Sequence, residues 1–431
     1  MNWYDAAPKK RSSELGDCCL RKLLIISYHF PPSAASGSFR LLGFVRHLQK
    51  FGWSSDVVAA PSTPWEGVDP GLAERIPAET TVYHVRFPYG PIARRLVAFT
   101  GYSIWLPLAW PVCKRLVASG RYDAVLTSGP PHGVHLLGNA LKKRYGIPWV
   151  ADFRDPWSGN KEGGPKIAQW GDRWVSAQEP DAIRRADTVV ANAPKVAEEF
   201  RAAFPEAADR IVTITNGYDP EEFAGGGETT ADSDSNAGRF NTGEVTLVHS
   251  GAIYLGRDPR PLLDAIRVLN SAPEGPRFRL RLLGSFDSSQ VDLPAEIASR
   301  GLESAVDFLG QVSYSQTLRE MKTATILVLL DSPGRQSGVP AKLYEYIGAT
   351  RPILALAEAK GDLAWVLEES GVPSRIASTS DSDDIRRALQ ELVQEMAHRD
   401  PAASPPAPVF TRERLTARLA EVLDGIVKVK K

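Results

Sequence analysis

Cysteine is scarce in this 431-residue chain, which holds three: Cys18, Cys19 and Cys113. Adjacent Cys18 and Cys19 do not suit a bond with each other, and no spacing resembles a zinc site. A disulfide framework and structural zinc are therefore set aside, and a reducing compartment fits best. Charge of one sign is also lacking, because 51 Lys and Arg balance 51 Asp and Glu. No global basic excess points to nucleic acid. Long apolar runs are lacking too. The first run, Leu23 to Ile26, is far too short for a signal-peptide core or a membrane span. The residues before it, with Asp5, Lys9, Lys10, Arg11, Glu14 and Asp17, read as a poorly ordered extension, residues 1–20.

What is present is an alternation of strands and helices. Leu23 to Ser27 fits a buried parallel strand, and Arg40 to Phe51 a helix with Leu41, Leu42, Val45, Leu48 and Phe51 on one face. Asp56 to Ala60 is the next strand. Ala124 to Thr127, Pro148 to Asp152, Thr188 to Asn192 and Ile211 to Ile214 follow in the same rhythm, with a helix from His132 to Tyr145. The run Gly225 to Asn236 is almost free of large apolar residues and reads as a mobile loop. The rhythm then restarts with strands at Val245 to Ser250, Arg279 to Leu283, Val306 to Gly310, Thr325 to Leu330 and Ile353 to Leu356. Pro401 to Pro408 is a second linker, before a helical pattern from Thr411 to Lys431.

The expected fold class is α/β, with two facing doubly wound Rossmann-like domains and a cleft between them for ligands. The expected divisions are 21–218, a linker at 219–243, a second domain at 244–405, and a terminal helix at 406–431 packing back on the first domain.

The candidate chemistry lies at predicted strand ends. In the stretch from Gly334 to Ala349, a glycine-bounded loop meets Pro340 at the first turn of a helix, whose free N–H groups suit phosphate. Lys342 and Glu345, three residues apart, share a face of that helix. A cation beside phosphates and a carboxylate one turn deeper suit a nucleotide diphosphate; an ordinary solvated helix face is the other reading of this segment. Val339 and Leu343 belong to the same stretch. Gly251 permits close approach after its strand, Arg257 can clamp a diphosphate, and Arg260 is a substitute for it. Gly284 and Gly310 can line a base pocket.

In the first series, Gly37 and Ser38 open a helix after the loop from His29. His132 stands where a helix opens and can meet a sugar hydroxyl or phosphate, or can serve as a surface or capping histidine; His135 lies deeper in that helix. The run Asp152-Phe153-Arg154-Asp155-Pro156-Trp157 offers carboxylates and an aromatic platform, or an Arg–Asp pair that fixes a loop. Pro91 to Arg121 interleaves Arg94, Arg95, Lys114 and Arg115 with Phe99, Tyr102, Trp105, Leu106, Leu108 and Trp110. That pattern suits an anionic membrane surface or a subdomain packed on the core. Asp232-Ser233-Asp234 and Asp381 to Asp384 look like paired-carboxylate metal motifs but read as a solvated loop and a helix cap. No metal and no cofactor is expected.

Taken together, His29–Arg40, Val150–Trp157, Thr215-Asn216-Gly217-Tyr218-Asp219, Ser250–Arg257 and Val339–Pro352 resemble the GT-B glycosyltransferases of the large retaining group called glycosyl transferase group 1. The chain looks most like bacterial members that build surface polysaccharides. The resemblance implies a nucleotide diphosphate sugar held by the second domain, and a saccharide or lipid-linked acceptor at the first. It also implies that Lys342 and Arg257 bind the diphosphate and Glu345 the ribose, with Gly37 near the transferred sugar and His132 near its hydroxyls. His132 and Asp155 are the catalytic candidates; Gly37, Ser38, Gly251, Arg257, Gly284, Val339, Lys342, Leu343 and Glu345 are the donor-binding ones. Retention by front-face attack, with the donor phosphate taking the acceptor proton, follows from the family. The cysteine usage and the basic aromatic stretch from Pro91 to Arg121 together give the expected location: cytoplasmic, with contact to the inner face of the plasma membrane.

One departure stands out. Many members carry two glutamates eight positions apart, and here Ser337 stands in place of the first while Glu345 matches the second. That departure motivates one rival reading, a non-catalytic nucleotide-sugar-binding protein; the shared architecture motivates another, a sugar-nucleotide epimerase.

Overall fold

The computed structural model describes residues 20–62, 67–86, 104–155, 177–224, 243–254, 256–398 and 408–427. The chain divides into two compact units: residues up to Gly217 together with those from Thr411 onward, and Tyr218–Phe410.

The first unit is built on seven parallel strands: β1 (Arg21–Ser27), β2 (Trp53–Ala59), β3 (Val82–His84), β4 (Ala124–Gly129), β5 (Trp149–Phe153), β6 (Thr188–Ala191) and β7 (Ile211–Thr213). Their order is β3-β2-β1-β4-β5-β6-β7. Leu23 to Ile26 have no exposed surface, as a strand covered on both faces requires. The following helix spans Ser36–His47, starting four residues before Arg40. Small Ser36, Gly37 and Ser38 carry no apolar stripe from which that start is read. The helix gives way to a 3-10 turn, Leu48–Phe51, closed by Gly52 at φ +83°. The helix Arg412–Ile426 joins this unit, with Leu415, Leu419 and Leu423 in one core with Leu23, Ile25 and Leu41. A Cβ on Gly43 would lie 2.6 Å from Arg412 Cδ, so this glycine lets the terminal helix pack close.

The second unit holds six parallel strands: β8 (Glu244–Ser250), β9 (Arg277–Leu283), β10 (Val306–Gly310), β11 (Ile326–Leu330), β12 (Ile353–Leu356) and β13 (Ser374–Ala377), ordered β10-β9-β8-β11-β12-β13. In each sheet the winding reverses once, between β1 and β4 and between β8 and β11. Ligands of such sheets bind outside the carboxyl ends of the strands at that reversal. The sequence reading missed β3 and β13. Both are short edge strands, largely half-exposed, so neither carries a continuous apolar run.

One ion pair ties the first unit together. Arg40 meets Asp152 on β5 through Nε–Oδ2 at 3.0 Å and Nη2–Oδ1 at 2.7 Å, with both side chains buried. The guanidinium also donates to the carbonyls of Ile214 (2.8 Å) and Thr215, and Ser128 Oγ donates to Asp152 Oδ2 at 2.7 Å. Removing one partner strands a buried charge. Arg40→Ala should therefore lower stability by about 3–5 kcal/mol in urea unfolding, and a loss below about 1 kcal/mol would refute this role.

Candidate functional site

At the reversal of the second sheet, the helix Ala341–Ala349 points its N-terminus outward from the end of β11. Pro340 is its capping residue (φ −56°, ψ 129°), one position earlier than expected, and it has no side chain that could cap the first turn. Leu343 is a core residue with no exposed surface, and its N–H is spent on Pro340 O at 3.0 Å. It therefore anchors the helix, and Val339 is buried too. Tyr346 fixes the helix to the sheet. Its hydroxyl accepts from Ser250 N at 2.8 Å and donates to Val328 O at 3.2 Å, bridging β8 and β11. Burial raises its phenol pKa.

Lys342 Nζ donates to Glu345 Oε2 at 2.7 Å, so the two residues form one ion pair. Glu345 is buried and Lys342 about one-third exposed, with its ammonium 5.8 Å from the Tyr314 ring. Arg257 stacks over Tyr254 at 4.6 Å, and its buried Nε has no hydrogen-bond partner among the described residues. Arg260, the proposed substitute, is exposed and grips half-buried Asp258 with Nε–Oδ1 at 2.8 Å and Nη2–Oδ2 at 2.7 Å, and is committed there. His249 Nδ1 lies 2.9 Å from Val328 O, to which it donates; burial, aided by the positive charges of Arg257 and Lys342, lowers its pKa to about 4. Both cations thus act at one end of the sheet.

Gly284 has φ +129°, and a Cβ there would lie 2.2 Å from Gly251 O, so the turns after β8 and β9 touch backbone to backbone. In the loop before the helix, Gly338 N donates to Asp362 Oδ2 at 2.7 Å. Ser337 precedes it. Asp331 is buried at the end of β11, and that burial raises its pKa against the opposing pull of Arg335 and Arg257.

At the reversal of the first sheet, a Cβ on Gly37 would lie 1.2 Å from Arg154 Nη1. The arginine guanidinium fills the space that any side chain at 37 would need. Arg154 Nε donates to Gly129 O at 3.1 Å and Nη2 to Pro130 O. Burial lowers the Arg154 pKa to about 10, opposed by Asp152 and Asp155. Half-buried Asp155 follows it, while Pro156 and Trp157 lie outside the described residues. Ser38 is fully buried, and its N–H donates to Ala35 O at 2.9 Å.

His132 does not open the helix Val134–Tyr145; Gly133 is the capping residue, and His132 O accepts from His135 N at 3.0 Å. The rings of His132 and His135 lie stacked 5.9 Å apart, with Phe153 4.2 Å from His135. Burial lowers the pKa of His132, helped by His135 and Arg154. Burial and Arg154 take His135 to about 3 and His29 to about 4. Sequence reasoning gives His29 no role of its own, sets His135 aside as lying deeper in its helix, and does not place Arg154 against Gly37. The three-residue spacing of 132 and 135 was the available signal.

Arg94, Arg95, Phe99 and Tyr102 lie outside the described residues, as do the glycine-rich run and Asp232 to Asp234. Trp105 is buried, with Nε1 donating to Val85 O at 3.2 Å, so it belongs to the core and not to a membrane-facing surface. Leu108, Lys114 and Arg115 of the helix Leu106–Ala118 are exposed. Among the described residues no helix is long and apolar enough to cross a membrane, and no three His, Cys, Asp or Glu groups converge to hold a metal ion. Asp381 caps a helix by accepting from Asp383 N (2.9 Å) and Asp384 N (3.1 Å).

Solved structures share this arrangement over nearly the whole chain. HepE (Alr3699) of Anabaena, solved in complex with UDP-glucose, superposes with a TM-score of 0.62 at 18% identity, covering 94% of this chain and 99% of its own. Sucrose-phosphate synthase of Thermosynechococcus elongatus gives 0.62 at 17% identity, with 95% of each chain covered. The fold is GT-B. A glycosyltransferase of Rickettsia africae gives 0.63 at 12% identity, covering 95% of this chain and 100% of its own. At such identities the likeness speaks for the fold. Residues 38–217 match the family model described as glycosyl transferase 4-like domain. A search of curated protein sequences gave no match.

The buried histidines set an acid limit. His29, His135 and His249 are neutral when folded down to about pH 4, 3 and 4 respectively, whereas unfolded histidine takes up a proton near pH 6.5. Below pH 6.5 the unfolded chain therefore binds more protons, and stability falls as pH drops toward 4. Urea midpoints at pH 7 and pH 5 should differ clearly, with the lower at pH 5. Equal midpoints would contradict the neutral buried rings.

Proposed function

We propose that this protein is a glycosyltransferase. It moves a sugar from a nucleotide diphosphate sugar bound by the second unit to a saccharide or lipid-linked acceptor served by the first. The observation that carries this reading is the grouping at the carboxyl ends of β8 and β11: Arg257, whose Nε has no partner among the described residues, Lys342, and a helix N-terminus that Pro340 cannot cap. Positive charge and outward N–H groups fit a diphosphate and stabilise it as a leaving group. An ammonium has three N–H donors, so Lys342 keeps Glu345 while a phosphate oxygen takes another. Glu345 in turn accepts from the ribose hydroxyls.

The match of residues 38–217 to a glycosyl transferase 4-like domain supports placing the acceptor chemistry in the first unit. There His132 meets hydroxyls of the transferred sugar, Gly37 lies near that sugar, and Asp155 stands beside Arg154. Retention and a role in bacterial polysaccharide synthesis are part of this proposal. Exposed Leu108, Lys114 and Arg115 are the part of the basic aromatic region that would meet an anionic membrane. The UDP-glucose complex of HepE makes UDP-sugars the first ligands to try.

Calorimetry with UDP- and GDP-sugars tests the reading. Wild-type protein should bind at least one, and Lys342→Ala should weaken it by about 10- to 100-fold, the worth of a hydrogen bond between charged groups. Failure of every nucleotide sugar to bind the wild type would sink the proposal. Incubation with the bound sugar and no acceptor separates the epimerase: an epimerised product would replace this reading.

A further inference from the structure

Beneath the reversal of the first sheet, three side chains form a hydrogen-bond chain with a fixed direction. Trp149 at the start of β5 is fully buried, and its Nε1–H donates to Thr127 Oγ1 at 2.8 Å. Thr127 Oγ1 lies 2.8 Å from His135 Nδ1. An indole nitrogen only donates, so Thr127 accepts from Trp149. The Thr127 hydroxyl proton then goes to His135 Nδ1, its other hydrogen-bond partner among the described residues. With Nδ1 an acceptor, a neutral ring carries its proton on Nε2. Burial keeps the ring neutral.

Two glycines show how closely this chain is fitted. Gly138 lies inside the helix Val134–Tyr145, where glycine costs about 1 kcal/mol relative to alanine. A Cβ there would lie 2.3 Å from Trp149 Nε1 and 2.8 Å from Thr127 Cγ2. Its absence makes room for the contact between indole and hydroxyl. Gly129 ends β4, and a Cβ there would lie 3.1 Å from His135 Nε2 and 3.0 Å from His132 Nδ1. Both imidazoles thus turn a nitrogen toward one point at the end of that strand.

We propose that Trp149 and Thr127 lock His135 as the Nε2–H tautomer and make it a positioning residue for His132, whose ring lies stacked against it at 5.9 Å. The locked ring fixes the surface against which His132 rests, and with it the orientation in which His132 meets a substrate oxygen. This rests on the reading of the first unit as the place where His132 meets the sugar.

The test is a tautomer measurement joined to kinetics. Full-length protein labelled with 15N-histidine, its signals assigned with His132→Gln and His135→Gln, should show His135 protonated at Nε2. Thr127→Val should abolish that fixed pattern, and Thr127→Ser should restore it. With a transferable sugar, Thr127→Val should lower kcat by about tenfold, a modest cost for a misplaced group. The KM for the nucleotide sugar should stay within about twofold, because the lock lies in the unit that does not hold the nucleotide. Thr127→Ser should recover kcat. If Thr127→Val fails to fold, Trp149→Phe frees the hydroxyl to accept, and a mixed His135 tautomer is expected.

A His135 protonated at Nδ1, a tautomer indifferent to both substitutions, or an altered tautomer with unchanged kcat would each overturn the proposal. Wild-type protein that shows the lock but moves no sugar would overturn the functional reading and the positioning role with it, leaving the lock standing. Protein that moves sugar with His135 protonated at Nδ1 would overturn the lock alone.

Discussion

The buried pair of Arg40 and Asp152 is the constraint on which the first unit depends. Two charges withdrawn from water are tolerable only when nearly every donor and acceptor is matched, and here they are matched across distant segments. Arg40 reaches β5 and the carbonyls of Ile214 and Thr215, while Ser128 at the end of β4 completes the carboxylate. Gly37 lies less than one helical turn before Arg40, and Arg154 lies two residues after Asp152. The pair that holds the sheet ends in register therefore also sets the entrance of the helix and the arginine that fills the space beside it.

The second unit meets the same structural need with a neutral group. Tyr346 joins its helix to the ends of β8 and β11 through a hydroxyl that both accepts and donates. No cation is consumed in that anchorage. Arg257 and Lys342 stay close to the ligand end of the sheet, and Lys342 keeps two N–H donors beyond its bond to Glu345. An anchor without charge leaves both cations uncommitted to holding the helix on the sheet.

Much of this fold is legible from the chain because parallel strands are covered on both faces. Leu23 to Ile26 and Ile353 to Leu356 read as strands from their apolar runs alone. β3 and β13 escape because edge strands need no such run. The pair Arg40–Asp152 spans 112 positions, and no local pattern announces it. At the candidate site, the two residues of the Lys342–Glu345 pair follow from helical spacing. Their direct bond and the burial of Leu343 do not, since both depend on what the rest of the unit places around them. His135 was discounted as too deep in its helix, yet that depth puts it in reach of Thr127.

At Gly37 the structure supplies a reason for a small residue that the sequence does not show. Small side chains in its loop suggest close approach of a ligand, and the nearest group is Arg154 of the protein itself. The carboxylate of Asp152 is already taken by Arg40, and the guanidinium of Arg154 donates to the carbonyls of Gly129 and Pro130. Carbonyl dipoles take two of its N–H groups but do not cancel its charge, and Asp152 and Asp155 offset that charge only in part. That field also opposes protonation of His29, His132 and His135. A ring held neutral offers one donor and one acceptor, where an imidazolium would offer two donors and a second positive charge. The arginine beneath Gly37 thus sets the chemistry of the histidines around it, and substituting the glycine would disturb both together.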